Sequence, residues 1–429
     1  MVKIPKLRWV VVALLFSSAG INYIDRLTLS VVVGRVLHEF SMSEQDYAHI
    51  VSLFLAAYAV MYAGSGYLVD WLGTRLGFAL FMLAWSAAQI AHGFVSGKWP
   101  LAACRFLLGL AEPGAFPAGV KAVGEWFPAG QRALGVGWFN AGTVAGAALG
   151  APVAALLALH YGWRSAFVLT GAAGFVWLVV WLLIYHPPQS NRWLSPQEFS
   201  RLRAQGIGTD AAPPTRTERP QVLRVLRSRP CYTLTLLRFL TDPVVYFVLF
   251  WFPAYLEKAR RFDLAMLGKY AWVPFFFGGT GYLFGGWLSG RLVRSGVNTL
   301  KARKLAMLAG ACLLPTAIIA PRVPAAHLAL AAMCLVMFGH AVWITNLLTL
   351  PTDLFRGGEV GTATGISGTG GSIGGILATL GIGYVVSHFS YEPVFLIAGM
   401  MHPLAAILLF GLLPDSYFGA REEVLPCAA

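Results

Sequence analysis

Six charged side chains stand inside long apolar stretches of the 429-residue sequence, where almost every neighbour is hydrocarbon. They form three pairs close in sequence: Asp25 with Arg26, Arg105 with Glu112, and Arg238 with Asp242. A charge at the centre of a membrane helix costs at least about 2.5–3.5 kcal/mol on insertion scales, so it must face a partner or a water-filled cavity. Each pair is therefore a candidate site for handling a charged solute. The alternative is a permanent ion pair that locks helices together.

The first pair, Asp25 and Arg26, sets an acid beside a cation that stays charged. Neighbouring side chains on a helix point about 100° apart, so the two residues need different companions. Arg26 shares a helix face with Tyr23, and an arginine binds a carboxylate through two parallel hydrogen bonds. The spacing predicts an anion-binding fork at Arg26 with Tyr23, and a proton-binding carboxyl at Asp25.

The second pair, Arg105 and Glu112, lies in the stretch RFLLGLAEPGAFP. Seven residues separate the two, which places them on one helix face about 10 Å apart along the axis. Burial favours the neutral form of a carboxyl, whereas a nearby arginine favours its charged form. We expect Glu112, beside the helix-disturbing Pro113, to hold and release a proton as its neighbours change, and Arg105 to contact the anion.

The third pair, Arg238 and Asp242, is four residues apart and also lies on one helix face. That spacing suits a salt bridge within one helix as well as contact with a substrate. A free cation here would suit an anionic solute, but Asp242 could equally neutralise it. The sequence leaves both interpretations open.

Membrane-spanning helices must position these side chains. The chain is 57% hydrophobic and only 12% charged, against about 25% charged residues in an ordinary soluble domain. Runs of roughly 20 apolar residues, each able to cross about 30 Å of hydrocarbon, predict an all-α membrane protein with twelve transmembrane helices. The predicted spans are 9–33, 47–68, 76–96, 100–123, 134–158, 165–185, 233–256, 269–290, 304–320, 326–350, 360–387 and 394–413. The first span resembles a signal peptide, and we expect it to stay uncleaved because similar spans follow.

The spans divide into two groups of six. Residues 1–185 form the predicted N-terminal half, 186–232 a Pro- and Arg-rich cytoplasmic linker with one short surface helix, and 233–429 the C-terminal half with a short cytoplasmic tail. GYLVDWLGTRLG after span 2 is echoed by GGWLSGRLVRSG after span 8, which indicates duplicated halves with a substrate site near mid-membrane. The net charge is +13, and the Lys and Arg residues responsible for it concentrate in alternate loops. This predicts cytoplasmic termini rather than a nucleic-acid partner.

Several motifs resemble those of the major facilitator superfamily. GYLVDWLGTR fits the superfamily's loop signature through Gly66, Leu68, Asp70, Gly73 and Arg75, and RFLLGLAEPGAFP fits its span 4 pattern. The combination of NYIDR, RFLLGLAEPGAFPAG, EWFP with QRA, and YGWRSAF resembles the anion:cation symporter family. Members of that family take up hexuronates, galactonate, glucarate and related sugar acids. FWFPAYL and GTATGISGTGGSIGGIL are similar to its hexuronate branch.

The resemblance covers the whole chain and implies roles for individual residues. Asp25 and Glu112 correspond to the acids expected to couple proton movement, and Tyr58 to a tyrosine that lines the anion site. The loop signature, with Arg291 in its second-half echo, implies a conformational gate. Further candidate contacts for substrate hydroxyls are Asn140, Thr143, His340, Trp343, Asn346, Ser367, Thr369 and Ser372. A structural role is the alternative for each, and Gly142, Gly146 and Gly150 at four-residue spacing indicate a helix-packing face.

The sequence therefore predicts a proton-coupled symporter of a sugar-acid anion, such as galacturonate or glucuronate. We expect it to work by alternating access as a monomer in the cytoplasmic (inner) membrane. The alternative is another carboxylate (galactonate, glucarate, tartrate or phthalate) or sodium coupling. The resemblance leaves the exact sugar acid open, because Arg238 stands where galactonate-type relatives carry glutamine. No phosphate-binding loop or paired catalytic constellation points to a nucleotide-driven pump or an enzyme. Five cysteines without paired or metal-type spacing predict no disulfide framework, metal site or cofactor.

Overall fold

The computed structural model describes residues 3–207, 221–263, 266 and 269–415, and all regular secondary structure in these ranges is helical. The first helices are α1 Leu7–Glu39, α2 Glu44–Leu72, α3 Thr74–Ala91, α4 Lys98–Ala111, α5 Ala115–Trp126, α6 Ala129–Tyr161 and α7 Trp163–Ile184. Two short helices follow, α8 Pro196–Arg203 and α9 Val222–Leu226. The remaining helices are α10 Arg229–Phe250, α11 Phe252–Lys258, α12 Val273–Arg294, α13 Thr299–Ala311, α14 Ala326–Leu354, α15 Val360–His388 and α16 Glu392–Leu412.

Helix lengths and composition agree with a chain that crosses the membrane many times. Ten of the described helices are long and apolar enough to span a bilayer. Helices α4 and α5, which a 3-10 turn at Glu112–Gly114 joins, and the glycine-rich α12 lie where the other two spans are predicted. The predicted fold class, all-α with twelve transmembrane helices, is confirmed.

Three predicted spans are interrupted, each next to a proline. In the span predicted at 304–320, α13 ends at Ala311 and a 3-10 helix follows at Leu314–Ile319, with Pro315 at its start. The span predicted at 100–123 breaks after Ala111, because Pro113 has no N–H to donate and its ring clashes with the preceding turn. In the span predicted at 233–256, α10 ends at Phe250 and α11 begins at Phe252, with Pro253 in its first turn. A proline is well tolerated there because the first N–H groups of a helix have no intrahelical partner.

Contacts group the chain into two compact units. The first unit contains Met1–Pro128, Trp138–Val222 and Arg356–Gly365, and the second contains Ala129–Gly137, Leu223–Phe355 and Ile366–Ala429. Each unit thus includes a short segment from the opposite half of the sequence. The boundaries predicted for the halves, at 185 and 233, stay predictions. Residues 208–220 of the predicted linker lie outside the described residues.

Within the first unit, glycines bring α6 into direct backbone contact with α1. A Cβ on Gly142 would lie 2.2 Å from the carbonyl oxygen of Phe16, and a Cβ on Gly146 would lie 2.4 Å from that of Gly20. Gly150 continues the row against Leu27 of α1. The predicted packing face of α6 is confirmed, and it holds α1 in the position from which Asp25 and Arg26 project.

Replacing Gly142 by alanine is expected to destabilise the protein. Overpacking costs typically about 1–3 kcal/mol, and the opposing backbone oxygen of Phe16 cannot rotate away as a side chain could. Alanine's better helix propensity returns at most about 1 kcal/mol. We expect a lower thermal-unfolding midpoint in detergent for Gly142→Ala than for Gly150→Ala, whose nearest neighbour is the movable end of Leu27. Equal midpoints would show that the two helices separate without cost.

The second unit is organised around α14, the most buried of the candidate spans. Glycines of α12 again allow close approach: a Cβ on Gly281 would lie 2.5 Å from the carbonyl oxygen of Phe338. On another face of α14, His340 contacts His402 of α16. Beyond His327 in its exposed first turn, helix α14 therefore carries its polar side chains inside the protein.

Candidate functional site

An ion pair between Arg26 and Glu112 forms the centre of the candidate site in the first unit. Nε and Nη2 of Arg26 both donate to Oε2 of Glu112, at 3.0 and 2.6 Å. Glu112 is positioned by the break between α4 and α5 and is fully buried, whereas the Arg26 side chain is 29% exposed. The other carboxylate oxygen, Oε1, is buried without a hydrogen-bond partner among the described residues. Arg26 thus already holds a carboxylate through two hydrogen bonds while part of its side chain stays accessible.

Three aromatic rings surround the Arg26 guanidinium. Its central carbon lies 5.3 Å from the ring centroid of Tyr23, 5.5 Å from that of Phe54 and 4.9 Å from that of Tyr58. Such contacts attract a cation through the negative face of each ring. They also hold the planar guanidinium in one orientation. The structure therefore places Tyr23 and Tyr58 beside Arg26, and their contact with a substrate stays a prediction.

Arg105 supplies a second cation in the same region. It is 4% exposed, and its guanidinium carbon lies 5.7 Å from the ring centroid of Phe54, the ring it shares with Arg26. No ion pair or hydrogen bond of Arg105 occurs within the described part of the chain. The pairing of Arg105 with Glu112 that the sequence allowed is not formed, because Glu112 turns to Arg26. A buried cation without a paired acid makes this region attractive to an anion.

Asp25 lies on a different face of α1 from Arg26. It is fully buried, and its Oδ2 accepts a hydrogen bond of 2.7 Å from Nε1 of Trp85 on α3. Gln89, one turn further along α3, donates to the Asp25 backbone oxygen at 3.4 Å. The expectation that the two neighbours need different companions is confirmed. Sequence reasoning missed Trp85 and Gln89, although an amide inside the apolar run MLAWSAAQIA was a usable signal.

The polar residues of α6 are also buried in the first unit. The Thr143 hydroxyl donates to the backbone oxygen of Asn140 at 2.7 Å. Its proton is therefore engaged within α6. Both side chains are almost fully buried. Their predicted role as donors to a sugar stays a prediction.

In the second unit, Arg238 and Asp242 form the intrahelical salt bridge that their spacing allows. Nε and Nη2 of Arg238 donate to Oδ2 of Asp242 at 2.9 and 2.7 Å. Gly371 of α15 lies against this bridge, since a Cβ there would be 2.0 Å from the same oxygen. Ser367 and Ser372 are buried on the same helix. The bridge is a fact of the structure, and a substrate contact for Arg238 stays a prediction, as it does for these serines and for Thr369.

The three predicted contacts on α14 have different surroundings. His340 pairs with His402, and the ring of Trp343 also packs against His402. Asn346 donates to the backbone oxygens of Gly285 at 3.2 Å and Val342 at 2.9 Å. Its amide nitrogen therefore ties α14 to α12.

The loop-signature aspartate, Asp70, caps the beginning of α15 inside the first unit. It accepts from the backbone N–H groups of Gly361 at 3.0 Å and Thr362 at 2.6 Å, and from Nζ of Lys121 at 2.7 Å. The first N–H groups of a helix lack partners and carry positive partial charge, so a carboxylate stabilises them. A Cβ on Gly66 would lie 2.1 Å from the Gly361 oxygen, which explains the glycine there.

The other predicted gate residues lie elsewhere. Gly73 ends α2 with a φ of +79°, which favours glycine. Arg75 donates to the backbone oxygen of Leu182 at 2.5 Å, and Arg291 is exposed with its guanidinium carbon 5.9 Å from the centroid of Trp287. Their gating role stays a prediction.

A second buried ion-pair cluster, in the second unit, was missed from sequence. Asp353 accepts from Nε of Arg303 and from Nη1 of Arg132, each at 3.0 Å. Arg303 also donates to Ser289 at 2.9 Å and to the Ala129 oxygen at 2.6 Å, at the start of α6. Charged residues are common at the ends of apolar runs, so the sequence gives this cluster no special mark. It differs from ordinary surface charges in that Arg303 is completely buried in the structure.

Asparagine at position 70 is expected to destabilise the protein. Removing one partner of a buried ion pair costs about 3–5 kcal/mol because the other charge stays buried. The matched control is Asp415→Asn, since Asp415 pairs with Lys304 but its side chain is 46% exposed, and such pairs contribute about 0–1 kcal/mol. Thermal unfolding of the purified variants should show a lower midpoint for Asp70→Asn alone. A drop of equal size in the control would contradict this account.

Comparison with known proteins gives consistent results. The family described as Major Facilitator Superfamily matches residues 15–379. The hexuronate transporter of Escherichia coli (strain K12) is 31% identical over 416 residues, which covers 96% of this chain and 95% of that protein. The galacturonate transporter of Dickeya chrysanthemi is 31% identical over 319 residues, 73% of this chain and 91% of that protein.

Among solved structures, the proton:xylose symporter XylE is similar with a TM-score of 0.70, over 95% of this chain and 96% of that chain. Its sequence identity is 17%, so this likeness concerns the fold alone.

Proposed function

We propose that this chain, which belongs to the Major Facilitator Superfamily, is a symporter that carries a sugar-acid anion together with a proton. Membership of the family makes it a multi-pass membrane transporter and not an enzyme. The observation that carries the proposal is the Arg26–Glu112 ion pair, in which an accessible arginine already holds a carboxylate. A substrate carboxylate can replace that of Glu112 on the same guanidinium.

The proposed substrate is a hexuronate such as galacturonate or glucuronate. Both relatives at 31% identity are named as transporters of such sugars. In this proposal the planar fork of Arg26 binds the substrate carboxylate, and the rings of Tyr23 and Tyr58 keep the fork oriented. Arg105 adds positive charge to the same region.

Proton coupling follows from the charge that remains when the substrate takes Arg26. Glu112 would then be a buried carboxylate without its cation, and an unpaired buried charge is strongly unfavourable. Uptake of a proton by Glu112 removes that charge, so substrate and proton bind together. Asp25, buried against Trp85, is proposed as a second proton-binding carboxyl. With both occupied, the transporter would change from outward to inward access as a monomer in the inner membrane, both termini in the cytoplasm.

Two alternatives differ from this proposal, one in the substrate and the other in the coupling ion. Another carboxylate (galactonate, glucarate, tartrate or phthalate) would use the same fork, and sodium could replace the proton as the coupling ion. Neither alternative changes the role of Arg26.

The test is uptake of labelled galacturonate into proteoliposomes containing the purified protein. An imposed inside-alkaline pH gradient is expected to drive accumulation, which a protonophore abolishes and unlabelled glucuronate inhibits. A sodium gradient at equal pH should drive none. Accumulation with sodium alone would replace the proton by sodium, and competition only by other carboxylates would change the substrate.

A further inference from the structure

The last turns of helix α12 form an open groove on the surface of the second unit. The groove has a volume of about 460 Å³ and is lined by Trp287, Leu288, Arg291, Leu292, Arg294 and Ser295. Both arginines are exposed. The guanidinium carbon of Arg291 lies 5.9 Å from the centroid of the Trp287 ring, and Nη1 of Arg294 donates to the backbone oxygen of Gly130 at 3.1 Å. The groove therefore combines two cations with an aromatic ring.

The two arginines are not required to cap the end of α12. The N–H of Gly296 donates to the backbone oxygen of Val293, and that of Val297 donates to the oxygen of Leu292, each at 3.1 Å. Gly296 has a φ of +91°, the left-handed conformation that glycine allows in this type of helix ending. The last carbonyl groups of the helix thus have backbone donors, and the guanidinium groups stay available to another acceptor.

The positive charge of the groove is not neutralised by an acid. Between Asp263 and Asp353 the sequence contains no Asp or Glu, and Asp353 itself pairs with Arg303 and Arg132. Neither arginine of the groove forms an ion pair within the ranges that the structure describes. A ligand with negative charge would therefore be complementary to this surface.

An exposed aromatic stripe leads along α12 to the groove. Phe277, Phe284 and Trp287 are all exposed, and their spacing places them on the same side of the helix as Arg291. Glycines on another side of α12 pack against α14. The aromatic stripe faces away from these contacts, and an exposed apolar side of a membrane-spanning helix meets lipid. An acyl chain can thus lie along the stripe with its headgroup beside Arg291.

We propose that the groove binds the headgroup of an anionic phospholipid, with the acyl chains of that lipid along the aromatic stripe. Guanidinium groups bind phosphate oxygens through paired hydrogen bonds, and basic pockets at the membrane surface suit such headgroups. A zwitterionic lipid carries a cation of its own, which Arg291 and Arg294 would repel. A soluble phosphate ester would gain the ionic contacts but none with the stripe. The proposal is independent of the substrate that the protein carries.

The first test is native mass spectrometry of the purified protein in a nonionic detergent, titrated with dioleoylphosphatidylglycerol or dioleoylphosphatidylcholine. We expect the wild type to bind phosphatidylglycerol roughly tenfold more tightly, the size of one hydrogen bond between charged groups. Arg291→Gln should lose this preference, and Arg294→Gln should reduce it. Equal binding of the two lipids by the wild type would overturn the proposal.

The matched control is Lys301→Gln. It removes the same charge from an exposed position on α13, the next helix, outside the groove. We expect this variant to keep the preference for phosphatidylglycerol. An equal loss in Lys301→Gln and Arg291→Gln would assign the preference to the general positive charge of this surface and refute the groove. Thermal unfolding in lipid-free detergent should give the wild-type midpoint for Arg291→Gln, because its side chain is exposed.

The second test distinguishes a lipid from a soluble anion. Glycerophosphoglycerol, the same headgroup without acyl chains, is added in large excess to the complex with phosphatidylglycerol. We expect it to leave the lipid bound, and displacement of the lipid would identify a soluble-anion site instead. Trp287→Ser interrupts the aromatic stripe and should weaken binding of phosphatidylglycerol several-fold. Wild-type affinity in this variant would show that the stripe holds no acyl chain and would contradict the proposal.

Discussion

Uptake of galacturonate by the Arg26→Lys variant is expected to fall roughly 10- to 100-fold below that of the wild type. Lysine keeps the charge but loses the planar fork that donates from Nε and Nη2 to one carboxylate oxygen. A hydrogen bond to a charged group contributes about 1.5–3 kcal/mol, and each 1.4 kcal/mol is a factor of about ten. The ammonium also cannot lie flat among the rings of Tyr23, Phe54 and Tyr58. Initial rates in proteoliposomes with equal protein content measure the effect.

The matched control for this variant is Arg35→Lys on the same helix. Arg35 donates to the backbone oxygen of Ala158 at 2.8 Å, a contact that needs a donor but no fork. We expect its uptake to stay close to that of the wild type. Near-normal uptake by Arg26→Lys would refute the fork, and an equal loss in both variants would indicate that α1 tolerates no change of this kind.

Hydropathy predicts this fold well because the bilayer imposes one length and one composition on every span. What it misses is where a span stops being a regular helix. The break at Glu112–Gly114 and the end of α10 at Phe250 are caused by prolines. A hydropathy profile does not reveal such breaks, because it records how apolar a residue is and not whether it can continue a helix. The first break begins at Glu112, the residue whose carboxylate binds Arg26.

The sequence identifies the site residues because a charge inside an apolar run is energetically costly. It does not identify the residues that they contact. A charge inside an apolar run is visible in the sequence, so Arg26 and Glu112 were both identified as candidates. Their contact spans 86 positions and depends on how α1 packs against the α4–α5 break, which local spacing does not encode. Spacing predicted the Arg238–Asp242 bridge because both partners lie on one helix. Trp85 and His402 were not selected because an indole or imidazole in an apolar run looks like ordinary core.

The two predicted proton-binding acids occupy different surroundings, which suggests different tasks. Glu112 is paired with the cation Arg26, so in the proposed mechanism its charge depends on the substrate. Asp25 is held by the neutral indole of Trp85, with no cation bonded to it in the described residues. An anion at Arg26 therefore acts directly on Glu112 alone. We conclude that Glu112 is the acid to neutralise when coupling is tested.

Glutamine at position 112 is expected to abolish accumulation of galacturonate against its gradient while leaving exchange intact. Glutamine keeps the size of the side chain and an acceptor for Arg26, but it cannot gain or lose a proton. Arg26 then stays available to the substrate carboxylate, so counterflow of labelled for unlabelled galacturonate should remain within about threefold of the wild type, a change below about 0.7 kcal/mol. A pH difference of one unit supports up to about tenfold accumulation for one coupled proton. In the variant, the inside and outside concentrations should become equal.

The control for this experiment is Glu39→Gln, which neutralises an exposed acid paired with Arg164. Its accumulation and exchange should both match the wild type, because an exposed pair contributes little. Loss of accumulation and exchange together in Glu112→Gln would mean that the residue is needed for folding or for movement rather than for coupling. Full accumulation in Glu112→Gln would assign the coupling proton to another group, and Asp25 would then be the carboxyl to replace.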